Sequence, residues 1–325
     1  MIKNKKVLII GFGSIGSKIF TILKKNKKID IGILRTKQKV KKKIKAKFFF
    51  SIKDAQNYNP EYIFICTTAN LHSIYFEKFK NLNAKIFIEK PLLFKENQIK
   101  IFKKYRKDLM VGYFLRYHYP IKYLKKYIER NQSSIRAINF EVGYDLKKWR
   151  PYRELSDTAS AKKKYGGGAL LELSHEIDLA VWMLGYPDEI FCQKQKLSKL
   201  KIDVDDFTNI ILNYTKKKKC ISINLDLLQT KYSRSIKIIS NNQIVFYDYL
   251  KGKIEIFNKN KSKIINFKKY NLSKAYVHQI NYFLQKFDNK KKKIKYFSNL
   301  TSSIQLSKLI FKLIQSDKLK RKIKI

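Results

Sequence analysis

The first third of the chain alternates short apolar runs with longer amphipathic segments. "KKVLII", "IDIGIL", "KFFF", "YIFIC", "KIFI" and "LMVGYF" are separated by stretches of helical length. Short apolar runs recurring with intervening helices predict right-handed crossovers and a parallel sheet covered on both faces. From about residue 136 the period changes to two. In "CISINLDLL", Ile221, Ile223, Leu225 and Leu227 alternate with Ser222, Asn224 and Asp226, the mark of a sheet with one packed face. Further strands are predicted at "IRAINFEVGY", "SIKII", "QIVFYDY", "KIEIF" and "KIINF", and helices at 275–287 and 300–315. In the last helix Leu306, Leu309, Ile310, Leu313 and Ile314 follow helical spacing, which core packing explains. The expected fold class is α/β, with a doubly wound parallel sheet over 1–117. An α+β domain on a large, mostly antiparallel sheet follows over 118–325.

The turn after the first strand gives this division a chemical meaning. Gly11, Gly13 and Gly16 form G-x-G-x-x-G between a strand and a helix, the arrangement of a Rossmann dinucleotide site. Gly11 permits the tight turn, Gly13 lets a pyrophosphate approach the backbone, and Gly16 lets helix and strand pack closely. The amides of Ser14 and Ile15 at the helix N-terminus then face the phosphates. A glycine-rich turn with no ligand is the competing reading. The second strand ends in Arg35 and Thr36, where an NAD-binding chain usually carries an acid for the ribose 2′-hydroxyl. Arginine suits a 2′-phosphate, so NADP is favoured over NAD, although a chain this basic also produces arginines by chance.

Ligands of open α/β sheets gather at the carboxyl ends of the strands. That places "TTANLH" and Glu89-Lys90-Pro91 at one rim and separates Lys90 from lysines on helix faces and loops. A second informative segment is "YGGGALLELSHEIDLAVWMLG", in which Glu172, His175 and Asp178 recur at intervals of three. In one helix they would lie along one flank, supplying groups for proton transfer near neutral pH. A buried, hydrogen-bonded histidine with exposed acids fits the spacing equally. Trp149, Arg150, Tyr152 and Arg153 precede the glycines. They suit either a sugar carrying an acidic or phosphate group or an interface loop.

Charge changes the picture less than its size suggests. The formal net charge is +47, from 72 Lys and Arg against 25 Asp and Glu. The lysines lie in scattered runs without a nucleic-acid-reading motif, so specific nucleic-acid binding is not expected, only salt-sensitive association with polyanions. Three cysteines without metal-ligand spacing give no metal site and no sign of an oxidising compartment. No run reaches the ~18 apolar residues of a spanning helix, and a cytoplasmic protein without a membrane partner is expected.

Taken in order, "GFGSIG", "TTANLH", "IEKPL", "GYFLRYHYP" and "GGGALLELSHEID" resemble the glucose–fructose oxidoreductase / inositol dehydrogenase (Gfo/Idh/MocA) family over essentially the whole chain. The resemblance implies hydride transfer between a nicotinamide and a hydroxyl-bearing carbon of a sugar, nucleotide sugar or cyclitol. It matches Lys90 and His175 to the lysine and histidine that border substrate and nicotinamide. On that expectation His175 is the acid/base, because an unperturbed imidazole titrates at about 6.5. Lys90 holds the substrate oxygen or, with its pKa depressed, acts as base. Glu89 orients Lys90, and Glu172 or Asp178 orients His175. Thr67, Asn70 and His72 line the cofactor pocket, and Arg116 contacts cofactor or substrate.

Two departures stand out. The family commonly has aspartate four residues before the histidine, whereas Glu172 comes three before it, and "RYHYP" carries an additional residue before Pro120. The segment from Trp149 to Gly168 resembles a subgroup associated with surface-sugar biosynthesis. The family also pairs subunits through the open sheet face, implying a homo-oligomer, dimer or tetramer. The reading from another class is a non-catalytic NAD(P)-binding sensor, which would need only the glycine loop.

Overall fold

The computed structural model describes residues 5–36, 44–103, 105, 109–149, 154–259, 261–286 and 297–325. The chain divides into two compact units. One comprises Met1–Tyr113 with Tyr276–Ser307, the other Phe114–Ala275 with Lys308–Ile325. The expected single division at 117/118 therefore differs from the observed one, because the chain returns to the first unit near its end.

The first unit is built on β1 (Lys5–Ile10), β2 (Ile29–Leu34), β3 (Lys47–Phe49), β4 (Tyr62–Ile65), β5 (Lys85–Ile88) and β6 (Leu109–Val111). All pair in parallel in the order β3-β2-β1-β4-β5-β6. The order reverses between β1 and β4, which creates the crevice where doubly wound sheets take their ligands. The intervening helices are α1 (Ser14–Leu23), α2 (Ile52–Asn57), α3 (His72–Phe79) and α4 (Ile99–Lys103). Val7–Ile10 and every residue of β4 are buried, as strands covered on both faces require. Part of that cover comes from far along the chain. In α9 (Leu272–Lys286), the ring of Phe283 meets Phe64 at 5.1 Å, Phe87 at 5.6 Å and Tyr62 at 5.8 Å. The amide of Val111 donates to the carbonyl of Ser298, joining the start of α10 (Leu300–Leu319) to β6.

The second unit begins with a 3-10 turn, Phe114–Tyr117, and α5 (Tyr119–Arg130). Strands follow at β7 (Ile135–Gly143), β8 (Glu189–Gln195), β9 (Phe207–Tyr214), β10 (Lys219–Asp226), β11 (Ser233–Ser240), β12 (Gln243–Asp248), β13 (Lys253–Asn258), β14 (Ser262–Asn266) and β15 (Ile323–Lys324). They form one nine-stranded sheet, β14-β13-β12-β11-β7-β10-β9-β8-β15. All neighbours are antiparallel except β7 and β10, which run parallel. Between β7 and β8 lie α6 (Leu146–Trp149), α7 (Ala169–Glu172) and α8 (His175–Leu184).

Alternate residues such as Ile138, Phe140, Ile221 and Ile223 are fully buried, while Asn139 and Ser222 between them are half-exposed. Helix α8 is buried almost all round, Trp182 being its one half-exposed residue. It is therefore a core element rather than a surface helix. Among the described residues no helix is long and apolar enough to cross a membrane.

Candidate active site

Gly11 and Gly16 of the turn after β1 are each required, for different reasons. Gly11 has φ +88°, and a Cβ there would lie 2.9 Å from the carbonyl oxygen of Cys66, at the end of neighbouring β4. A Cβ on Gly16 would fall 2.1 Å from the carbonyl oxygen of Gly11, so any side chain would force helix and turn apart. At Gly13 nothing lies within 4 Å of the Cβ position. Gly13 caps α1, Ser14 is exposed and Ile15 half-exposed. The result is an open cradle at a helix N-terminus, which fits the phosphates of a dinucleotide. Arg35 follows directly after β2 and donates its amide to the carbonyl of Phe49 at 3.1 Å. Its side chain is half-exposed and Thr36 is exposed.

At the ends of β4 and β5, the predicted rim is a braced pair of loops. His72 is buried, with ring nitrogens 2.9 Å from the carbonyl oxygen of Pro91 and 3.1 Å from that of Thr67. Burial pushes its imidazole down to about 4, assisted by the charge of Lys90, against the pull of the two carbonyls. With both ring nitrogens facing main-chain carbonyls, His72, expected to line the cofactor pocket, also braces the two loops. The side chain of Asn70 is engaged by Thr68, whose hydroxyl meets its Oδ1 at 2.6 Å. Thr67 is half-exposed.

Glu89 is buried, and burial raises its carboxyl to about 7 against the opposing charges of Lys90 and Lys18 and the Lys90 amide, which donates to its Oε2 at 3.3 Å. Gly112 makes room for it, because a Cβ there would sit 2.9 Å from Glu89 Oε1. Lys90 is half-exposed at the carboxyl end of β5, joined to Pro91 by a cis peptide bond.

In the second unit the expected flank is not one helix. The helix breaks at Leu173 and Ser174, so Glu172 closes α7 and His175 opens α8. Only His175 and Asp178 share a helix, and Glu172 is half-exposed on the preceding one. His175 is buried, its imidazole edge-to-face with the ring of Phe114 at 4.7 Å and 83°. Arg116, expected to contact cofactor or substrate, and Asp178, expected to orient His175 or touch substrate, are bonded to each other. The Arg116 Nε donates to Asp178 Oδ2 at 2.8 Å, and Nη2 donates to Oδ1 at 2.5 Å. Trp149 closes α6 with its ring 5.2 Å from Tyr144. Arg150, Tyr152 and Arg153 lie outside the described residues.

Sequence reasoning passed over Glu176, directly after His175, and Arg234 on β11. Both are buried, with Arg234 Nε 2.9 Å from Glu176 Oε1. The signal was available: Arg234 has the same strand parity as Ile236 and Ile238, so the alternation places a cation on the packed face.

Residues 5–114 match the oxidoreductase family with an NAD-binding Rossmann fold, and residues 134–241 match the GFO/IDH/MocA C-terminal domain. The chain belongs to the Gfo/Idh/MocA oxidoreductases. This family membership makes it an NAD-binding oxidoreductase and accounts for the glycine cradle.

No curated protein sequence matches the chain. Several solved Gfo/Idh/MocA-like structures share its fold. GenD2 from gentamicin A biosynthesis, in complex with NAD, is 15% identical with a TM-score of 0.82, covering 100% of this chain and 97% of its own. The myo-inositol 2-dehydrogenase from Lactobacillus plantarum is 16% identical with a TM-score of 0.81, covering 99% and 100%. The WlbA dehydrogenase from Bordetella pertussis, in complex with NADH and UDP-GlcNAcA, is 17% identical with a TM-score of 0.78, covering 99% and 98%.

Proposed function

We propose that the protein transfers a hydride between a nicotinamide cofactor and a hydroxyl-bearing carbon of a sugar, nucleotide sugar or cyclitol, in a pathway that builds surface polysaccharide. The observation that carries this reading is that one Gfo/Idh/MocA chain holds both an open glycine cradle in its first unit and a buried histidine at the start of α8 in its second. Three solved proteins of the same fold support the substrate class, being named for gentamicin A biosynthesis, for myo-inositol and for a complex with UDP-GlcNAcA. Arg35 and Thr36 after β2 favour NADP, since a guanidinium complements a 2′-phosphate.

The cofactor supplies the hydride chemistry when bound, and the chain supplies position and proton transfer. The amides at the start of α1 hold the pyrophosphate. His175 takes the hydroxyl proton during oxidation and returns it during reduction. Lys90 binds the substrate oxygen and stabilises charge that develops on it. Glu89, adjacent to Lys90 and kept in place by the space at Gly112, orients that ammonium.

The test is a screen of nucleotide sugars, sugar acids and cyclitols for a change in nicotinamide absorbance. Lys90→Ala and His175→Ala are each expected to lower turnover of the substrate found while leaving NADP(H) affinity nearly intact. Full activity in either variant would remove that residue from the mechanism. Cofactor binding with no turnover of any candidate would favour a non-catalytic sensor.

A further inference from the structure

Helix α8 carries two buried acids in its first turn, and each is tied to a different part of the second unit. Asp178 is gripped by Arg116 from the turn ahead of α5. Glu176 is paired with Arg234 from β11: Nη2 donates to Oε2 at 3.3 Å, while Nε lies 2.9 Å from Oε1 as an ion contact without hydrogen-bond geometry. Arg234 is itself fixed, paired in the sheet opposite Val142, with its guanidinium 5.6 Å from the Tyr249 ring centroid. At about 100° per residue, Glu176 and Asp178 lie on either side of His175 around the helix axis. Tethers on both sides oppose rotation of the packed helix in either sense.

We propose that Arg234 and Glu176 are positioning residues for His175: with the Arg116–Asp178 pair they fix the rotation of α8 and so aim the imidazole. This rests on His175 being the acid/base of the proposed reaction. Buried ion pairs are weak sources of stability against apolar replacement, because desolvation offsets their attraction. What they supply is one arrangement among many, since a guanidinium fork accepts a carboxylate in a narrow range of orientations. On the opening turn of a buried helix, one such fork at Asp178 and a single hydrogen bond at Glu176 add directional contacts to the apolar packing.

The test removes both charges together, Glu176→Leu with Arg234→Met, so that no lone charge is left buried. The ring-nitrogen NMR signals of His175, assigned by their loss in His175→Asn, report imidazole orientation without any substrate. In the double variant these signals should shift or broaden. Turnover should fall about 100-fold with KM and nicotinamide affinity changing little, as a misplaced reacting group loses rate rather than binding. Arg234→Lys, which keeps the charge but loses the planar guanidinium, should fall between wild type and double variant, and it serves if the double variant does not fold.

Unmoved His175 signals in a folded variant would overturn the proposal, whether or not turnover fell. Full turnover in His175→Asn would instead overturn the catalytic assignment, and the NMR signals would still decide the positioning.

Discussion

Arg116 and Asp178 share two hydrogen bonds with only 5% and 1% of their side chains exposed. Each therefore neutralises the other's buried charge. Replacing Arg116 with Met leaves a carboxylate buried without its counter-ion, which should cost about 3–5 kcal/mol in urea unfolding. Removing both charges, Arg116→Met with Asp178→Leu, should recover most of that loss. A single variant as stable as wild type would show that the pair is not coupled.

The contrast between these arginines and the glycine turn shows what a single sequence reveals. Gly11 and Gly16 were legible because a local backbone path demands them and the demand lies within six residues. The parallel sheet was legible because strands buried on both faces are apolar throughout. The partners of Arg116 and Arg234 were not, since they are set by tertiary contacts 62 and 58 residues away. β9 was missed because both its faces carry apolar residues, with Ile210 and Leu212 inward and Phe207 and Ile211 outward. The alternation was there, but hydrophobicity alone does not reveal it. Glu172 was misplaced on a continuous helix because nothing in "LLELSHE" announces the break at Leu173.

The return of the chain to the first unit makes the parallel sheet depend on residues beyond 275. Phe283 is fully buried against three aromatic rings of β4 and β5. Phe283→Ala should cost about 3–5 kcal/mol, the usual range for an emptied aromatic site. A fragment ending at 117 should fail to give a cooperative unfolding transition. A folded 1–117 fragment would show that the later segment is dispensable.

Two buried groups near Lys90 give opposite dependences of stability on pH. The His72 imidazole is held near 4 mainly by burial, whereas in the unfolded chain it titrates at about 6.5. The unfolded state takes up a proton first, so this group destabilises the fold as pH falls from about 6.5 to about 4. Burial holds the Glu89 carboxyl near 7, against 4.5 for an ordinary glutamate. The folded state keeps a proton the unfolded state has lost, so stability falls as pH rises through that window. The two effects nearly cancel below about 6.5 and leave Glu89 alone above it. Glu89→Gln should therefore raise the unfolding free energy at about pH 8 by at most roughly 3 kcal/mol, with little gain below about pH 4.5. A variant less stable than wild type at the higher pH would mean that the ionised carboxylate is well paired.

We propose that Arg35 sets the choice between NADP and NAD. A guanidinium bonded to a 2′-phosphate contributes about 1.5–3 kcal/mol as a charge-assisted hydrogen bond. Arg35→Asp should thus move the ratio of NADP(H) to NAD(H) dissociation constants roughly ten- to hundredfold towards NAD(H), measured by nicotinamide fluorescence. An unchanged ratio would leave Arg35 as one surface cation among many.

The open face of the nine-stranded sheet argues for self-association. In a chain of +47 formal charge, copies repel, and at a contact closer than the Debye length of about 8 Å salt screens little of that repulsion. A face that meets its own copy must therefore be poor in lysine. Residues 137–141 of β7 and the paired stretches 209–213, 220–224 and 235–239 carry outward Asn139, Asn209, Ile211, Asn213, Ser222 and Asn224, with Lys237 their one basic residue. Farther along the sheet, Ile244 and Phe257 stand 38% and 41% exposed. We propose that two copies pair through this face, so light scattering should report at least twice 38.7 kDa. Ile211→Lys together with Asn224→Lys places cations on each copy where the faces meet, and the mass should fall to that of one chain with the thermal midpoint of the monomer preserved. A wild-type protein already at the monomer mass, or a double variant that keeps its assembly, would move the contact elsewhere.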